Sequence, residues 1–200
     1  MVHQDRNHRN IERLRRALHK SDPLDRPAPA AHRREAAVLV PIIERAGELN
    51  LVYIRRADHI ESHRGQVAFP GGRVEPSDET LLHTALREAW EEVNIEPASV
   101  DVLGGFPTMS TLTSGVVVAP FVGVLNGHVA MRPDTREVAE IFEVPIPALA
   151  DSRYRGTYEW KRDGGPPSHF PAILYGGQTI WGLTLRITER LLEIISDREC

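Results

Sequence analysis

The stretch GGRVEPSDETLLHTALREAWEEVNI, residues 71–95, constrains the fold more than any other part of the chain. Two adjacent glycines permit a tight turn or a close backbone approach. From about Asp78 to Val93 the apolar residues Leu82, Ala85, Leu86, Ala89 and Val93 return at helical spacing. At about 100° per residue they share one arc, the width of a core-facing stripe. Glu88, Glu91 and Glu92, at i, i+3 and i+4, fall on the adjoining arc, so three carboxylates share one patch. Like charges so placed cost a few tenths of a kcal/mol per pair when exposed, and more in a cleft. A divalent cation relieves that repulsion, and oxygen-only ligands suit magnesium or manganese. Arg87 adds a cation beside the acidic face, and Glu79, eight residues earlier, is placed to pin it. Without context, acidic residues on a helix face are ordinarily solvated. The Gly71-Gly72 turn ahead of the helix, where backbone can approach an ion or a phosphate, favours a site instead.

The segments around this helix read mostly as strands. AAVLVPII and LVYIRR, separated by a turn-like Arg45 to Asn50, are short and β-branched, and Gln66 to Phe69 is a further strand candidate before the Pro70-Gly71-Gly72 break. Beyond the helix, VDVLGGFPTM and SGVVVAPFVGVL continue the sheet, and Glu137 to Phe142 reads as a short helix. Tyr154 to Lys161 and His169 to Tyr175 flank Asp163-Gly164-Gly165-Pro166 as a hairpin, and Thr179 to Ser196 has a second strong helical period. Ahead of all this, Ile11, Leu14 and Leu18 mark a helix from Asn10 to Lys20, followed by a proline-rich stretch from Asp22 to Ala31. Its arginines fit an amphipathic helix packed on the body better than an arm for nucleic acid. Strands interleaved with two main helices predict a layered α/β domain at 35–197, preceded by a helix and linker at 1–34.

Two hundred residues suit one core with short extensions, and a formal net charge of −4 gives no broad cationic face for nucleic acid. The sole cysteine, Cys200, excludes an internal disulfide and a cysteine zinc cluster, which fits a reducing cytoplasm. The first twenty residues are charged throughout and no apolar run approaches a membrane span, so neither export nor insertion is expected.

The segment from Gly72 to Ile95 resembles the Nudix box, Gly-x5-Glu-x7-Arg-Glu-U-x-Glu-Glu-x-Gly-U, in which U is a bulky apolar residue. Arg87-Glu88 and Glu91-Glu92 fall in the motif's positions, and Ala89 and Ile95 take the two U positions. Glu79 lies eight residues before Arg87. Six residues rather than five separate Gly72 from Glu79, and Asn94 replaces the closing glycine. The resemblance implies an α/β/α sandwich with a mixed central sheet and a hydrolase dependent on Mg²⁺ or Mn²⁺. By the same resemblance Glu88 and Glu92 are principal metal ligands, Glu91 a further ligand or water-positioning group, and Gly72 a carbonyl ligand.

Upstream, VYIRRADHIESHRGQVAFPGG resembles the element ahead of the box in Nudix enzymes that hydrolyse coenzyme A, with agreement at Arg56, Ala57, Gly65 and Phe69 to Gly72. Glu61 stands where that pattern has an arginine. The tail TIWGLTLRITERLLEII also resembles this subgroup. Trp181, at the start of that apolar period, reads as core ahead of a platform for a base. Arg55, Arg56, His59, His63 and Arg64 form a basic strip in an acidic protein, with Arg55, Arg56, His63 and Arg64 as the candidates for substrate contact. The plainer alternative pairs one of the two strand arginines with Glu91 or Glu92.

The implied reaction cleaves coenzyme A or its thioesters into adenosine 3′,5′-bisphosphate and 4′-phosphopantetheine. Arg87 belongs to the catalytic face, and the general base comes from Glu91, Glu137 or Glu140, with Glu137 preferred. ADP-ribose, dinucleotides and oxidised nucleoside triphosphates stay open as substrates, as does a Nudix-like domain that binds a nucleotide without cleaving it. The expected partner is a small nucleotide, not nucleic acid or a membrane, and a homodimer is left open.

Overall fold

A computed structural model of the chain describes residues 2–19, 35–59, 65–111, 115–127, 129–161 and 166–196. The proline-rich stretch from Asp22 to Ala31, Glu61, His63, Arg64, the 163–165 turn and Cys200 lie outside the described residues. The elements are α1 (Val2–His19), β1 (Glu35–Arg45), β2 (Glu48–Arg56), β3 (Val67–Ala68), β4 (Gly71–Arg73), α2 (Leu81–Val93), β5 (Val100–Gly105), β6 (Met109–Ser110), β7 (Val117–Leu125), β8 (Val138–Pro145), α3 (Ile146–Ala150), β9 (Arg155–Lys161), β10 (Pro167–Tyr175), β11 (Gln178–Trp181) and α4 (Gly182–Ser196).

The central sheet runs β3-β2-β1-β7-β5, with β4 on β1, β6 on β7 and β8 on β2. It is mixed, because β1 and β7 are parallel while the other pairs are antiparallel. The near-continuous apolar run of β1 follows from burial on both faces. Ala37, Leu39 and Ile43 join Val52, Ile54 and the α2 residues Leu81, Ala85, Ala89 and Val93 in one cluster. Val40 and Ile42 join Tyr53, Leu14 and Leu18 of α1 and Leu185 and Leu191 of α4 in the other. Helices thus cover both faces, and the expected α/β/α layering with a mixed sheet is what the chain adopts. A separate antiparallel sheet, β11-β10-β9, contains the expected hairpin.

Several expectations need correction. Glu137 to Phe142 is not a helix: Val138–Pro145 is a strand that pairs antiparallel with β2, from Asn50↔Pro145 to Arg56↔Val138. Six residues cannot separate a helical period from a strand, and the exposed edge of β2 decides the matter through long-range pairing. Gly71 and Gly72 are not a simple break, since Gly71–Arg73 pairs with Ala36 to Val38 of β1. Thr179 to Trp181 belongs to β11, and the last helix begins at Gly182. Arg45 to Asn50 contracts to a two-residue turn, Ala46-Gly47, both at positive φ as a tight hairpin requires.

The N-terminal helix starts at Val2, well before Asn10. Its early residues lack an apolar period, and they are tied down by polar contacts instead: Asn7 is buried and its Nδ2 donates to Gly47 O at 3.0 Å. Arg13 donates to Ile195 O at 3.2 Å and Arg15 pairs with Asp101 at 2.7 Å, so these arginines serve packing on the body. Among the described residues no helix is long and apolar enough to cross a membrane.

Candidate active site

Helix α2 starts one turn later than expected, at Leu81, because Thr80 is its N-cap: the Thr80 hydroxyl accepts from His83 N at 3.0 Å. Glu79 therefore lies outside the helix on an exposed loop, and the residue that pins Arg87 is its buried neighbour Asp78. Arg87 Nε donates to Asp78 Oδ1 and Nη2 to Oδ2, both at 2.9 Å, a bidentate pair. The Thr84 hydroxyl and the Glu75 amide also donate to Asp78 Oδ2, each at 2.9 Å. Burial by itself would raise the Asp78 carboxyl, but these donors, Arg87 foremost, bring it down to about 2. Asp78 was missed in the sequence, although it follows Gly72 by the five intervening residues of the motif. The extra residue thus falls between the acid and Arg87.

So anchored, Arg87 organises the acidic face. Its Nη1 donates to Glu88 Oε1 at 3.1 Å and to Glu91 Oε2 at 3.0 Å, and its Nη2 to Arg73 O at 3.1 Å. Glu88 is mostly buried and Glu91 is more than half exposed. Glu92 is buried, with 3% exposure, although it is a carboxylate on a helix. Its Oε2 accepts from Gly71 N at 2.9 Å and its Oε1 from Arg56 Nη1 at 3.3 Å. Burial pushes the Glu92 carboxyl up to about 7; the Gly71 amide and Arg56 pull against that, while Glu88 and Glu137 repel it. Burial likewise raises Glu88, with Glu91 and Glu137 adding repulsion and Arg87 opposing.

The Gly-Gly strand fits this face closely. A Cβ on Gly72 would run into the Glu88 carboxylate, and one on Gly71 would run into the Ala37 carbonyl of β1. Glycine here lets the backbone lie directly against the acids.

The distal segment reaches the same place. Asn94 closes α2 in the left-handed conformation, φ 58°, ψ 37°, and its Nδ2 donates to Ala130 O at 3.1 Å. Arg132 N donates to Val93 O and Asp134 N to Glu92 O, at 3.1 and 2.9 Å, so the chain leading to Glu137 hangs from the end of the helix. Glu137 Oε2 stands 3.7 Å from Arg56 Nη2, within the field of Glu88 and Glu92. Glu140 faces elsewhere, opposite Arg55 in the β2–β8 pairing, with Arg55 at 3.6 Å and Gln178 Nε2 donating at 2.8 Å. The consecutive arginines therefore part company: Arg56 meets the acids of α2, while Arg55 takes Asp58 and Glu140. His59 Nε2 lies 2.9 Å from Arg136 O.

Among the described residues no three His, Cys, Asp or Glu side chains are gathered closely enough to hold an ion as they lie. The acids are drawn onto Arg87 and Arg56 instead. The donor set nevertheless fits a hard divalent cation: Glu88 and Glu92 are largely buried, mutually repelling carboxylates, with Glu91 beside them and glycine backbone in contact.

Comparison with known proteins agrees with this geometry. A model of the NUDIX domain matches residues 32–163. Over 179 residues the chain is 41% identical to the uncharacterized Nudix hydrolase NudL of Yersinia enterocolitica, covering 86% of this chain and 89% of that protein. Over 168 residues it is 43% identical to the uncharacterized Nudix hydrolase NudL of Yersinia pestis, covering 84% and 82% respectively. The crystal structure of a MutT/nudix family protein from Enterococcus faecalis shares the fold, with a TM-score of 0.51 and 15% identity over 84% of this chain and 62% of that one. With the domain match spanning the sheet, the box helix and the distal acidic segment, the chain belongs to the Nudix family of hydrolases, enzymes that use divalent cations to cut pyrophosphate bonds in nucleotide derivatives.

Proposed function

We propose that the chain hydrolyses the pyrophosphate of coenzyme A or its thioesters, with Mg²⁺ or Mn²⁺, giving adenosine 3′,5′-bisphosphate and 4′-phosphopantetheine. The observation that carries the metal-dependent cleavage is the buried Glu92 carboxylate, held by Gly71 N and Arg56 beside Glu88. A buried acid with raised pKa on a crowded acidic face is costly unless a cation shares it. The choice of coenzyme A rests on the likeness of the segment from Val52 to Gly72, and of the tail from Thr179, to Nudix enzymes acting on that compound.

In this reading Glu88, Glu92, Glu91 and the Gly72 carbonyl would hold the ion. An ion held there would supply Lewis-acid chemistry, offsetting charge on the pyrophosphate and making water a better nucleophile. Water adds to one phosphorus as the bridging P–O bond breaks, and the bridging oxygen leaves with the other phosphate. Glu137 receives the proton of the attacking water, since it stands with Glu88 and Glu92 whereas Glu140 is committed to Arg55 and Gln178. Arg56 orients Glu92, and Arg87 fixes Glu88 and Glu91. Arg55, with His63 and Arg64 outside the described residues, contributes cationic contacts to the polyanionic substrate.

Product identification by mass spectrometry, from coenzyme A, ADP-ribose and NADH incubated in parallel with Mg²⁺ and with Mn²⁺, is the test. Adenosine 3′,5′-bisphosphate from coenzyme A is expected as the fastest product; intact coenzyme A beside cleaved ADP-ribose would replace the substrate. Gly72→Ala is expected to lower kcat roughly tenfold or more, because its methyl group displaces Glu88. Full activity in a folded Gly72→Ala protein removes that carboxylate from the site.

A further inference from the structure

Glu137 lies in the turn just ahead of β8, yet its backbone is held on both sides. Its amide donates to Asp134 O at 2.9 Å, and its carbonyl accepts from Ala57 N, just past β2, at 2.8 Å. The next amide, Val138 N, donates to the same Asp134 carbonyl at 2.8 Å. His59 Nε2, also beyond the end of β2, lies 2.9 Å from the carbonyl of Arg136. On its other side the turn meets α2, where Asp134 N donates to Glu92 O at 2.9 Å.

Asp134 thus touches the backbone of Glu92 through its amide and that of Glu137 through its carbonyl. Its side chain shapes what lies between. Oδ1 accepts from Arg136 N at 3.0 Å, the bond from an aspartate to the amide two residues on that fixes a tight turn. The Arg136 guanidinium closes on the same carboxylate, Nε donating to Oδ1 at 3.0 Å and Nη2 to Oδ2 at 2.6 Å. With the amides of Arg136 and Glu137 both bonded to Asp134, the Cα–Cβ bond of Glu137 has one direction. Along it the Glu137 carboxylate comes to 3.7 Å from Arg56 and into the field of Glu88 and Glu92.

We propose that Asp134 is a positioning residue for the hydrolysis: by accepting from Arg136 N it sets the turn that aims Glu137 at the acids of α2. The proposal rests on the reading of Glu137 as the group that receives the proton of the attacking water. It adds the residue that holds Glu137 in place.

The test is steady-state kinetics of the full chain with Mg²⁺, on whichever of coenzyme A and ADP-ribose the parent cleaves. Asp134→Ala is expected to lower kcat by about 10- to 100-fold, the scale for a misplacement near 1 Å, while KM changes less than about threefold. Asp134→Asn keeps an oxygen for Arg136 N and is expected to recover most of the lost kcat. Asp134→Glu keeps the charge but carries it one carbon too far for that amide. It is expected to be as slow as Asp134→Ala, and it takes the place of the alanine variant should that one not fold. Glu137→Gln is expected to lower kcat by about 10²-fold or more, and adding Asp134→Ala to it to cost less than about threefold further, because the positioned group is already lost. Circular dichroism and thermal unfolding check the fold of each variant.

Effects that multiply in the double variant overturn the role of Asp134 and leave Glu137 in place. So do parental kcat in folded Asp134→Ala, a loss confined to KM, or an Asp134→Asn protein as slow as Asp134→Ala. Near-parental kcat in Glu137→Gln removes Glu137 as the base, and the role of Asp134 with it. A parent that cleaves neither compound removes the hydrolysis on which both depend.

Discussion

Glu92→Gln is expected to lower kcat by about 10³-fold, the scale seen when one preorganised electrostatic contact to a transition state is removed, while leaving the fold intact. The substitution keeps the shape of a buried side chain and removes its charge. The carbonyl of the new amide can still accept from Gly71 N, which holds the turn against the helix. Its NH₂ group then faces Arg56 as a donor facing donors, so the ion pair is lost. Stability is expected to stay within about 1 kcal/mol, because burial already disfavours the charged carboxylate and its removal offsets the lost pair. Thermal unfolding and circular dichroism check the fold, and steady-state kinetics with Mg²⁺ and with Mn²⁺ check the rate. Near-normal turnover in that variant would remove the acidic-cluster mechanism.

Asp78→Asn acts on stability. A buried aspartate holding Arg87 through two hydrogen bonds is being replaced by a neutral amide, which leaves the guanidinium with hydrogen bonds to Glu88 and Glu91 and the more distant Glu75 at 4.0 Å as its acidic partners. Breaking a buried pair of this kind costs about 3 kcal/mol, or roughly 10 °C in Tm for a chain this long. The pH dependence has a defined sign. The Asp78 carboxyl is depressed from 3.8 to about 2 in the folded protein, so its contribution is fully present above about pH 4 and is lost as pH falls through about 2. That shift corresponds to about 2 kcal/mol. The stability gap between the parent and Asp78→Asn, measured by urea unfolding without metal, is therefore expected to narrow by about that amount between pH 7 and pH 2. A gap that stays constant over that interval sinks the assignment of Asp78 as the ionised anchor.

What the sequence disclosed and what it withheld differ by the range of the interactions involved. The helical period of α2 and its acidic neighbours were legible because both follow from spacing within a single segment, but the buried face comprises Leu81, Thr84, Ala85, Ala89, Glu92 and Val93, with Leu82 and Leu86 of the expected stripe only partly buried. So was the strand character of β1, β2 and β7, whose runs are apolar and β-branched because both of their faces are covered. The strand at Val138–Pro145 was not legible, since its conformation comes from pairing with a β2 edge more than eighty residues away. The anchor of Arg87 was misassigned by one residue for a related reason: the count from Arg87 favours Glu79, but the Thr80 cap ends the helix there and turns Asp78 inward. The alternation argument left open which of Arg55 and Arg56 would meet Glu91 or Glu92; the fold brings Arg56 to Glu92. The aromatic wall of Tyr158, Phe170 and Trp181 comes from three strands of one sheet, and spacing along the chain carries no trace of it.

At Asn94, where the motif has glycine, the exchange has a mechanical consequence. Glycine would adopt the same backbone turn with less strain, yet it has no side chain to reach Ala130. Asparagine sews the far loop to the helix stub, so the acid on that loop and the acids on the helix move as one block. A breathing motion of the 130–137 segment would then carry the whole reactive surface with it, rather than opening a gap inside it.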